Sequence, residues 1–197
     1  MSLVLGVDPG LATGGWALLD LGLPPKRQLQ AHGRLTSSPS DGTEDERREV
    51  MLGQVKASVR RAELVAIEDQ YATAGGVGRS AMQVARVAAC IADYARAQDK
   101  SVVWVYPAQA KAALVGQGNA TKEQMIAWAR QRFGASLSEH EADAVGIALA
   151  GADAGAETRV PTRGAGRKRN AGAQRDPLAG MPEGVRAAAE RARGAGQ

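Results

Sequence analysis

Residues 3–10, LVLGVDPG, predict the first strand of a β-sheet. The apolar run of this stretch ends at Asp8 and is followed by a Pro-Gly turn. A short apolar run that is bounded by turn residues is typical of a buried β-strand. A second run over residues 15–20 follows a Thr-Gly-Gly turn, and a third strand is predicted over 28–36. Because the connections between these runs are short, we expect an antiparallel meander of three strands.

After the meander, predicted helices and strands alternate along the chain. Two further strands are expected at residues 64–68 and 102–106. Helices are expected over 43–61 and 79–98, from Pro107 onward, from Thr121 to 133, and from Ser138 to about 151. Three of them begin with a capping box, namely Thr43/Glu46, Thr121/Gln124 and Ser138/Glu141. This order predicts an α/β domain in which helices flank a mixed five-stranded sheet.

Composition places the chain among folded proteins that lack disulfides. A hydrophobic content of 44% supports a folded core. Cys90 is the only cysteine, so no internal disulfide can form, as is usual in the cytoplasm, where we expect the protein to act. Residues 1–5 lack the basic start and long apolar run of a signal peptide. No stretch approaches the ~20 apolar residues of a membrane span, so no membrane partner is expected.

Charge is distributed unevenly along the chain. Residues 1–152 carry 16 Lys and Arg and 16 Asp and Glu, whereas residues 153–197 carry 9 and 5, so the net charge of +4 lies in the C-terminal part. That part is rich in Gly, Ala, Arg and Pro and has little apolar periodicity, which predicts disorder. We expect a folded domain over 1–152 and a basic, disordered tail over 153–197. Such charge is typical of nucleic-acid-binding extensions and also of merely solvated tails.

Four residues with metal-binding side chains stand near predicted ends of strands and helices. Asp8 and Glu68 end the first and fourth strands, and His140 and Asp143 share one face of the last helix. Carboxylate oxygens in such an arrangement suit two hard cations that activate water and stabilise the leaving oxygen of a phosphodiester. Plainer interpretations make Asp8 a turn residue and Asp143 a solvent-facing one. Glu68 is harder to dismiss, because a carboxylate that closes a buried strand needs a partner.

The last predicted helix also holds two competing carboxylates, Glu139 and Glu141. Glu141 occupies the third helical position of the capping box that Ser138 opens. We interpret both as cap or surface groups, so the predicted ligand set remains the four residues above. Spacing alone leaves open whether those four bind metal.

Four blocks of the sequence resemble the RuvC-type Holliday junction resolvases of the ribonuclease H-like superfamily. They are LGVDPG followed by Thr13-Gly14, AIE at 66–68 with Tyr71 three residues later, PAQAK at 107–111 with VGQGNATKEQ at 115–124, and HEADAVGIA at 140–148. They occur in order over about residues 3–150, and the third is the most distinctive. The resemblance implies a ribonuclease H-like fold. It also implies a metal-dependent crossover junction endodeoxyribonuclease that resolves junctions by symmetric paired nicking.

The resemblance further implies roles for individual residues. Four become catalytic groups and ligands of two Mg²⁺ or Mn²⁺ ions: Asp8, Glu68, His140 and Asp143. His140 stands where many members carry a carboxylate and some a histidine. Lys111 and Lys122 become basic groups near DNA phosphates, and Tyr71 becomes the aromatic residue that stacks on unpaired bases at the junction centre. Without the resemblance, the lysines are ordinary helix-surface residues and Tyr71 a half-buried core residue.

The implied assembly is a homodimer on four-way or other branched DNA. The predicted helix over 79–98 has mostly small apolar residues and is a candidate for the twofold interface. Composition alone makes an internal core helix equally compatible with the same residues. The turn at residues 10–13 is one residue shorter than in typical members, and the basic tail lies outside the family pattern. Both features are compatible with a divergent or phage-borne member.

Three other functions remain open at the level of sequence. One is a ribonuclease H-like nuclease that acts on other branched DNA or on RNA–DNA hybrid. Another is an actin-like ATPase, which needs a second, duplicated domain, and residues 70–197 hold no repeat of the first. The third is a non-catalytic DNA-binding protein, against which the complete acidic set argues.

Overall fold

Five strands form one sheet at the centre of the computed structural model, in which residues 2–69 and 78–157 are described. They are β1 (Leu3–Asp8), β2 (Thr13–Asp20), β3 (Leu29–Thr36), β4 (Leu64–Glu68) and β5 (Ser101–Val105). Their order in the sheet is β3-β2-β1-β4-β5. β2 runs antiparallel to β1 and β3, whereas β4 runs parallel to β1 and β5. The predicted meander and the mixed five-stranded sheet are confirmed.

Six α-helices flank this sheet within the described ranges. They are α1 (Pro25–Gln28), α2 (Glu44–Arg61), α3 (Arg79–Ala97), α4 (Pro107–Val115), α5 (Lys122–Phe133) and α6 (Glu139–Glu157). The predicted caps begin α2 and α5, because the Thr43 and Thr121 side chains accept hydrogen bonds from the backbone N–H groups of Glu46 and Gln124. Helix α1 was not predicted, because a single turn is too short to show an apolar period.

Helix α6 continues to Glu157, past the predicted end near residue 151. The prediction ended there because glycine is the commonest residue after a helix. In the structure, a Cβ atom on Gly151 would fall 2.3 Å from the Cβ of Ala66, and one on Gly155 would fall 3.0 Å from a methyl group of Leu64. These two glycines therefore let the helix lie close along the sheet rather than ending it.

The two faces of the sheet pack against different helices. Leu5 and Val7 of β1 belong to a core shared with α2 and α3, whereas Val4 belongs to a core shared with α4, α5 and α6. This division follows from the strand period of two, which sends alternate side chains to opposite faces. Asp8 has the same parity as Val4, so its side chain belongs to the face that α6 covers.

Two strand glycines bring α6 directly onto the sheet. A Cβ atom on Gly6 of β1 would fall 2.0 Å from the carbonyl oxygen of Ala144, and one on Gly15 of β2 would fall 2.3 Å from that of His140. Only glycine allows such an approach of backbone to backbone. Because β1 and β2 pair Asp8 with Gly15, the first turn of α6 is fixed beside the end of β1.

Tyr71 and residues 158–197 lie outside the described residues. The predicted boundary between residues 152 and 153 falls inside α6, and the division into a domain and a basic tail stays a prediction. Within 2–69 and 78–157, no helix combines the length and the apolar character needed to cross a membrane.

Candidate active site

Two carboxylates end neighbouring parallel strands at the same edge of the sheet. The register of β1 and β4 pairs Val7 with Ile67, so Asp8 and Glu68 are the next residues on adjacent strands. Strand alternation puts both side chains on the face that α6 covers. Asp8 is only 8% exposed, and Glu68 is half-buried.

The first turn of α6 brings a histidine to the first of these carboxylates. The Nδ1 atom of His140 lies 2.6 Å from Oδ2 of Asp8, which is a hydrogen bond whichever group carries the proton. Asp143 follows one turn later on the same helical face and is half-buried. Residues far apart in the sequence thus meet at the end of β1.

Burial and neighbouring charges shift the pKa values of the residues in this cluster. Burial raises the pKa of Asp8, against the opposing effect of the hydrogen bond with His140. Burial, together with the charges of Asp8 and Glu139, raises the pKa of Asp143 to about 6. The hydrogen bond to Asp8 raises the pKa of His140. Burial therefore disfavours the ionised form of both carboxylates, and a bound cation would favour it.

Both predicted DNA-binding lysines lie beside this cluster. Lys122, the first residue of α5, forms an ion pair with Glu139, the first residue of α6, and this contact raises the pKa of Lys122. Lys111 lies on α4, which packs against α6, and its positive charge opposes the rise in the pKa of Asp143. Positive charge therefore borders the carboxylates, as an enzyme that binds phosphates requires.

The two competing glutamates on α6 have different surroundings. Glu141 accepts hydrogen bonds from the backbone N–H and the hydroxyl of Ser138, so its interpretation as a cap is confirmed. Glu139 contacts Lys122, and its charge acts on the Asp8 carboxylate. Sequence spacing could not reveal that Glu139 pairs with Lys122 beside Asp8, because this contact depends on how α5 and α6 pack together.

The predicted ligands fit a divalent cation by their chemistry but do not form a closed ligand set. Among residues 2–69 and 78–157, no three His, Cys, Asp or Glu side chains are grouped closely enough to hold one metal ion. One oxygen of Asp8 is engaged by His140. The donors are carboxylate oxygens and an imidazole, which Mg²⁺ and Mn²⁺ accept. Burial, and after it the charges of Asp8 and Glu139, raise the pKa of Asp143, and a bound cation would favour the ionised carboxylate.

Comparisons with known proteins agree on one family. The model of the family described as "Crossover junction endodeoxyribonuclease RuvC" matches residues 4–151. The crossover junction endodeoxyribonuclease RuvC of Nocardia farcinica is 32% identical over 160 residues, which cover 75% of this chain and 78% of that protein. The matched region contains every element from β1 to the site-bearing part of α6.

Two solved structures of RuvC from Thermus thermophilus have a similar fold, each at 26% identity. One matches with a TM-score of 0.60 and covers 79% of this chain and 96% of its own. The other, a complex with a Holliday junction substrate, matches with a TM-score of 0.63 and covers 80% and 97%. The predicted ribonuclease H-like fold is confirmed, and the chain belongs to the RuvC family of crossover junction endodeoxyribonucleases.

Proposed function

We propose that this protein is a Holliday junction resolvase that nicks two strands of a four-way DNA junction at symmetric positions. The observation that carries the proposal is the 2.6 Å contact of His140 with Asp8, which assembles β1 and α6 into one polar site within a RuvC-family domain. The relative solved with a Holliday junction substrate supports branched DNA as the substrate class.

The proposed metal ligands are the four residues of the sequence-based set: Asp8, Glu68, His140 and Asp143. The proposed ions are Mg²⁺ or Mn²⁺, two for each active site. When bound, such ions activate a water molecule and stabilise negative charge on the phosphate and the leaving oxygen. Burial and the neighbouring charges of Asp8 and Glu139 raise the pKa of Asp143, and this supports the assignment because a bound cation stabilises the ionised carboxylate.

The chain's own residues orient the site and the substrate. The hydrogen bond with His140 holds the buried Asp8 carboxylate in one orientation. Lys111 and Lys122 border the cluster, and we assign them as basic groups near the DNA phosphates. Hydrolysis then breaks the bond between phosphorus and the 3′ oxygen and leaves a 5′ phosphate and a nick that ligase can seal.

Symmetric nicking requires two active sites related by a twofold axis, and we propose a homodimer. On α3, Ala88 and Ala92 are buried in the core, whereas Ala85 and Ala89 are exposed and Met82 is 46% exposed. The predicted stripe of small residues is therefore divided between the core and the surface. We assign the surface part to the dimer interface.

Two parts outside the described residues have proposed roles on DNA. Tyr71 is assigned to stacking on unpaired bases at the junction centre. The basic tail over residues 153–197 is assigned to sequence-independent contacts with phosphates.

The single cysteine and the DNA substrate support action in the cytoplasm.

A cleavage assay on matched substrates tests the proposal. The protein is incubated with a mobile four-way junction, a linear duplex of the same sequence and an RNA–DNA hybrid, each with Mg²⁺ or Mn²⁺. We expect paired, ligatable nicks at symmetric positions on the junction and no cutting of the duplex. Preferential cutting of the hybrid would contradict the proposal and favour the ribonuclease alternative.

A further inference from the structure

The edge strand β3 contributes a histidine to the first turn of α6. The Nδ1 atom of His32 lies 2.6 Å from Oε1 of Glu141, although 109 residues separate the two in the sequence. The His32 side chain is 33% exposed, whereas that of Glu141 is 11% exposed. This contact is separate from the hydrogen bond between His140 and Asp8, and the spacing of residues in the sequence indicates no role for His32.

Glu141 is a nearly buried carboxylate whose two oxygens have different partners. Oε2 accepts hydrogen bonds from the backbone N–H of Ser138 at 2.8 Å and from its hydroxyl at 2.5 Å. Oε1 faces His32. The Ser138 contacts alone are enough to cap α6, so the cap does not explain the histidine. The second contact instead ties the capped turn to β3, an element outside the helix.

The same turn lies across all three strands of the meander. His32 is on β3, Gly15 on β2 lies against the backbone of His140, and Asp8 on β1 contacts the His140 ring. Residues of β1 and β2 also pair Asp8 directly with Gly15. Glu141 follows His140 in the chain, so a shift of the turn away from β3 would move the imidazole relative to Asp8.

We propose that His32, acting through Glu141, is a positioning residue that holds the His140 imidazole against Asp8. The inference rests on the proposed role of His140 and Asp8 in cleavage. Groups that orient the residues around a metal centre commonly contribute about 10- to 100-fold to activity or metal affinity without touching the substrate. The hydrogen bond of the His32 ring is with Glu141, which is not one of the proposed ligands, so its effect reaches the site through the turn.

The composition of the chain provides a direct measurement, because His32 and His140 are its only two histidines. The full-length protein is labelled with ¹⁵N-histidine and measured without metal at one fixed pH. The His32→Ala variant then shows His140 alone. We expect its ring-nitrogen resonances to move from their wild-type positions towards those of Asp8→Asn, in which the contact with Asp8 is weakened. His32→Gln, which keeps a hydrogen-bond donor, should restore much of the wild-type shift.

Cleavage of a four-way junction under single-turnover conditions provides the second measurement. We expect His32→Ala to cut about 10-fold more slowly while binding the junction normally, with partial rescue in His32→Gln. The double variant His32→Ala/Glu141→Gln should cut no more slowly than the slower single variant, because both changes break one connection. Gln30→Ala replaces an exposed residue two positions away on β3, at the bulge in that strand, and this control variant should match the wild type.

The two measurements separate failure of this inference from failure of the proposed function. Unchanged His140 resonances in His32→Ala would overturn the positioning role, whatever the rate of cleavage. A double variant that cuts more slowly than either single variant would also overturn the positioning role, because the two side chains would then act independently. Shifted resonances with a wild-type rate would support the positioning of His140 and count instead against its proposed role in cleavage.

Discussion

Replacing Asp143 by asparagine tests whether the acidic end of the sheet is destabilised by its own charge. Burial and the charges of Asp8 and Glu139 raise the pKa of Asp143 from 3.8 to about 6. A carboxyl group with a raised pKa in the folded state is harder to ionise there than in the unfolded chain. Stability is therefore lost as the pH rises from about 4 to about 6, and above that range the loss is complete.

The magnitude follows from the size of the pKa shift. A rise of about 2 units corresponds to at most ~3 kcal/mol, because each unit is worth ~1.4 kcal/mol. Asp143 is half-buried rather than enclosed, so solvent screens part of this interaction and we expect ~1–2 kcal/mol. Asparagine cannot ionise, and Asp143→Asn should escape this loss of stability.

Urea unfolding of the metal-free protein at pH 4 and pH 8 measures the effect. The free energy of unfolding of Asp143→Asn, relative to wild type, should be greater at pH 8 than at pH 4 by ~1–2 kcal/mol. Asp153→Asn is the matched control, because Asp153 lies on the same helix with an exposed side chain, and its relative stability should not vary in this way.

Two results would show that ionised Asp143 neither destabilises the fold nor binds the cation. The first is a difference in the free energy of unfolding between Asp143→Asn and wild type that is the same at pH 4 and pH 8. It would show that ionisation of Asp143 does not destabilise the fold. The second result comes from adding Mn²⁺ at pH 8, which should raise the free energy of unfolding of the wild type more than that of Asp143→Asn. Equal stabilisation of both proteins would remove Asp143 from the ligand set.

Three further predictions concern neighbouring features. Gly15→Ala should destabilise the fold by ~1–3 kcal/mol in urea unfolding, because its Cβ would press on the His140 backbone; an unchanged stability would contradict the close packing of α6. His140→Asp should raise the ratio of the cleavage rate with Mg²⁺ to that with Mn²⁺, because carboxylate suits Mg²⁺ better than imidazole does, and an unchanged ratio would remove His140 as a ligand. Deleting residues 159–197 removes 9 Lys and Arg. The slope of the logarithm of the duplex-binding constant against the logarithm of salt concentration should then become less steep by ~0.9 for each phosphate that the tail neutralises, and an unchanged slope would exclude binding of the tail to phosphates.

The elements whose patterns are local were predictable from the sequence. β1 and β4 have the predicted bounds, because each is an apolar run that a carboxylate closes. The capping boxes at Thr43 and Thr121 predicted the starts of α2 and α5 for the same reason, since a cap involves residues only three apart. The predicted end of α6 near residue 151 was wrong, because Gly151 serves the close packing of the helix on the sheet, which the local sequence does not show.

The candidate site was predictable only in part. Strand ends and the i, i+3 spacing point to Asp8, Glu68, His140 and Asp143, and the family resemblance joins them into one site. The ion pair of Glu139 with Lys122 and the contact of His32 with Glu141 leave no signal in sequence spacing. Both depend on tertiary packing, of α5 with α6 in the first case and of β3 with α6 in the second.

The most direct test of the central claim is to measure junction cleavage and junction binding on the same preparations of wild type, Asp8→Asn and Glu68→Gln. We predict that both variants lose nearly all paired nicking with Mg²⁺ or Mn²⁺ yet bind the four-way junction like the wild type, because the basic residues remain. Asp20→Asn is the control, since Asp20 lies at the opposite end of the β1–β2 pair, and it should cut normally. Retained paired nicking by Asp8→Asn would show instead that the site at the end of β1 is not where the DNA is cut.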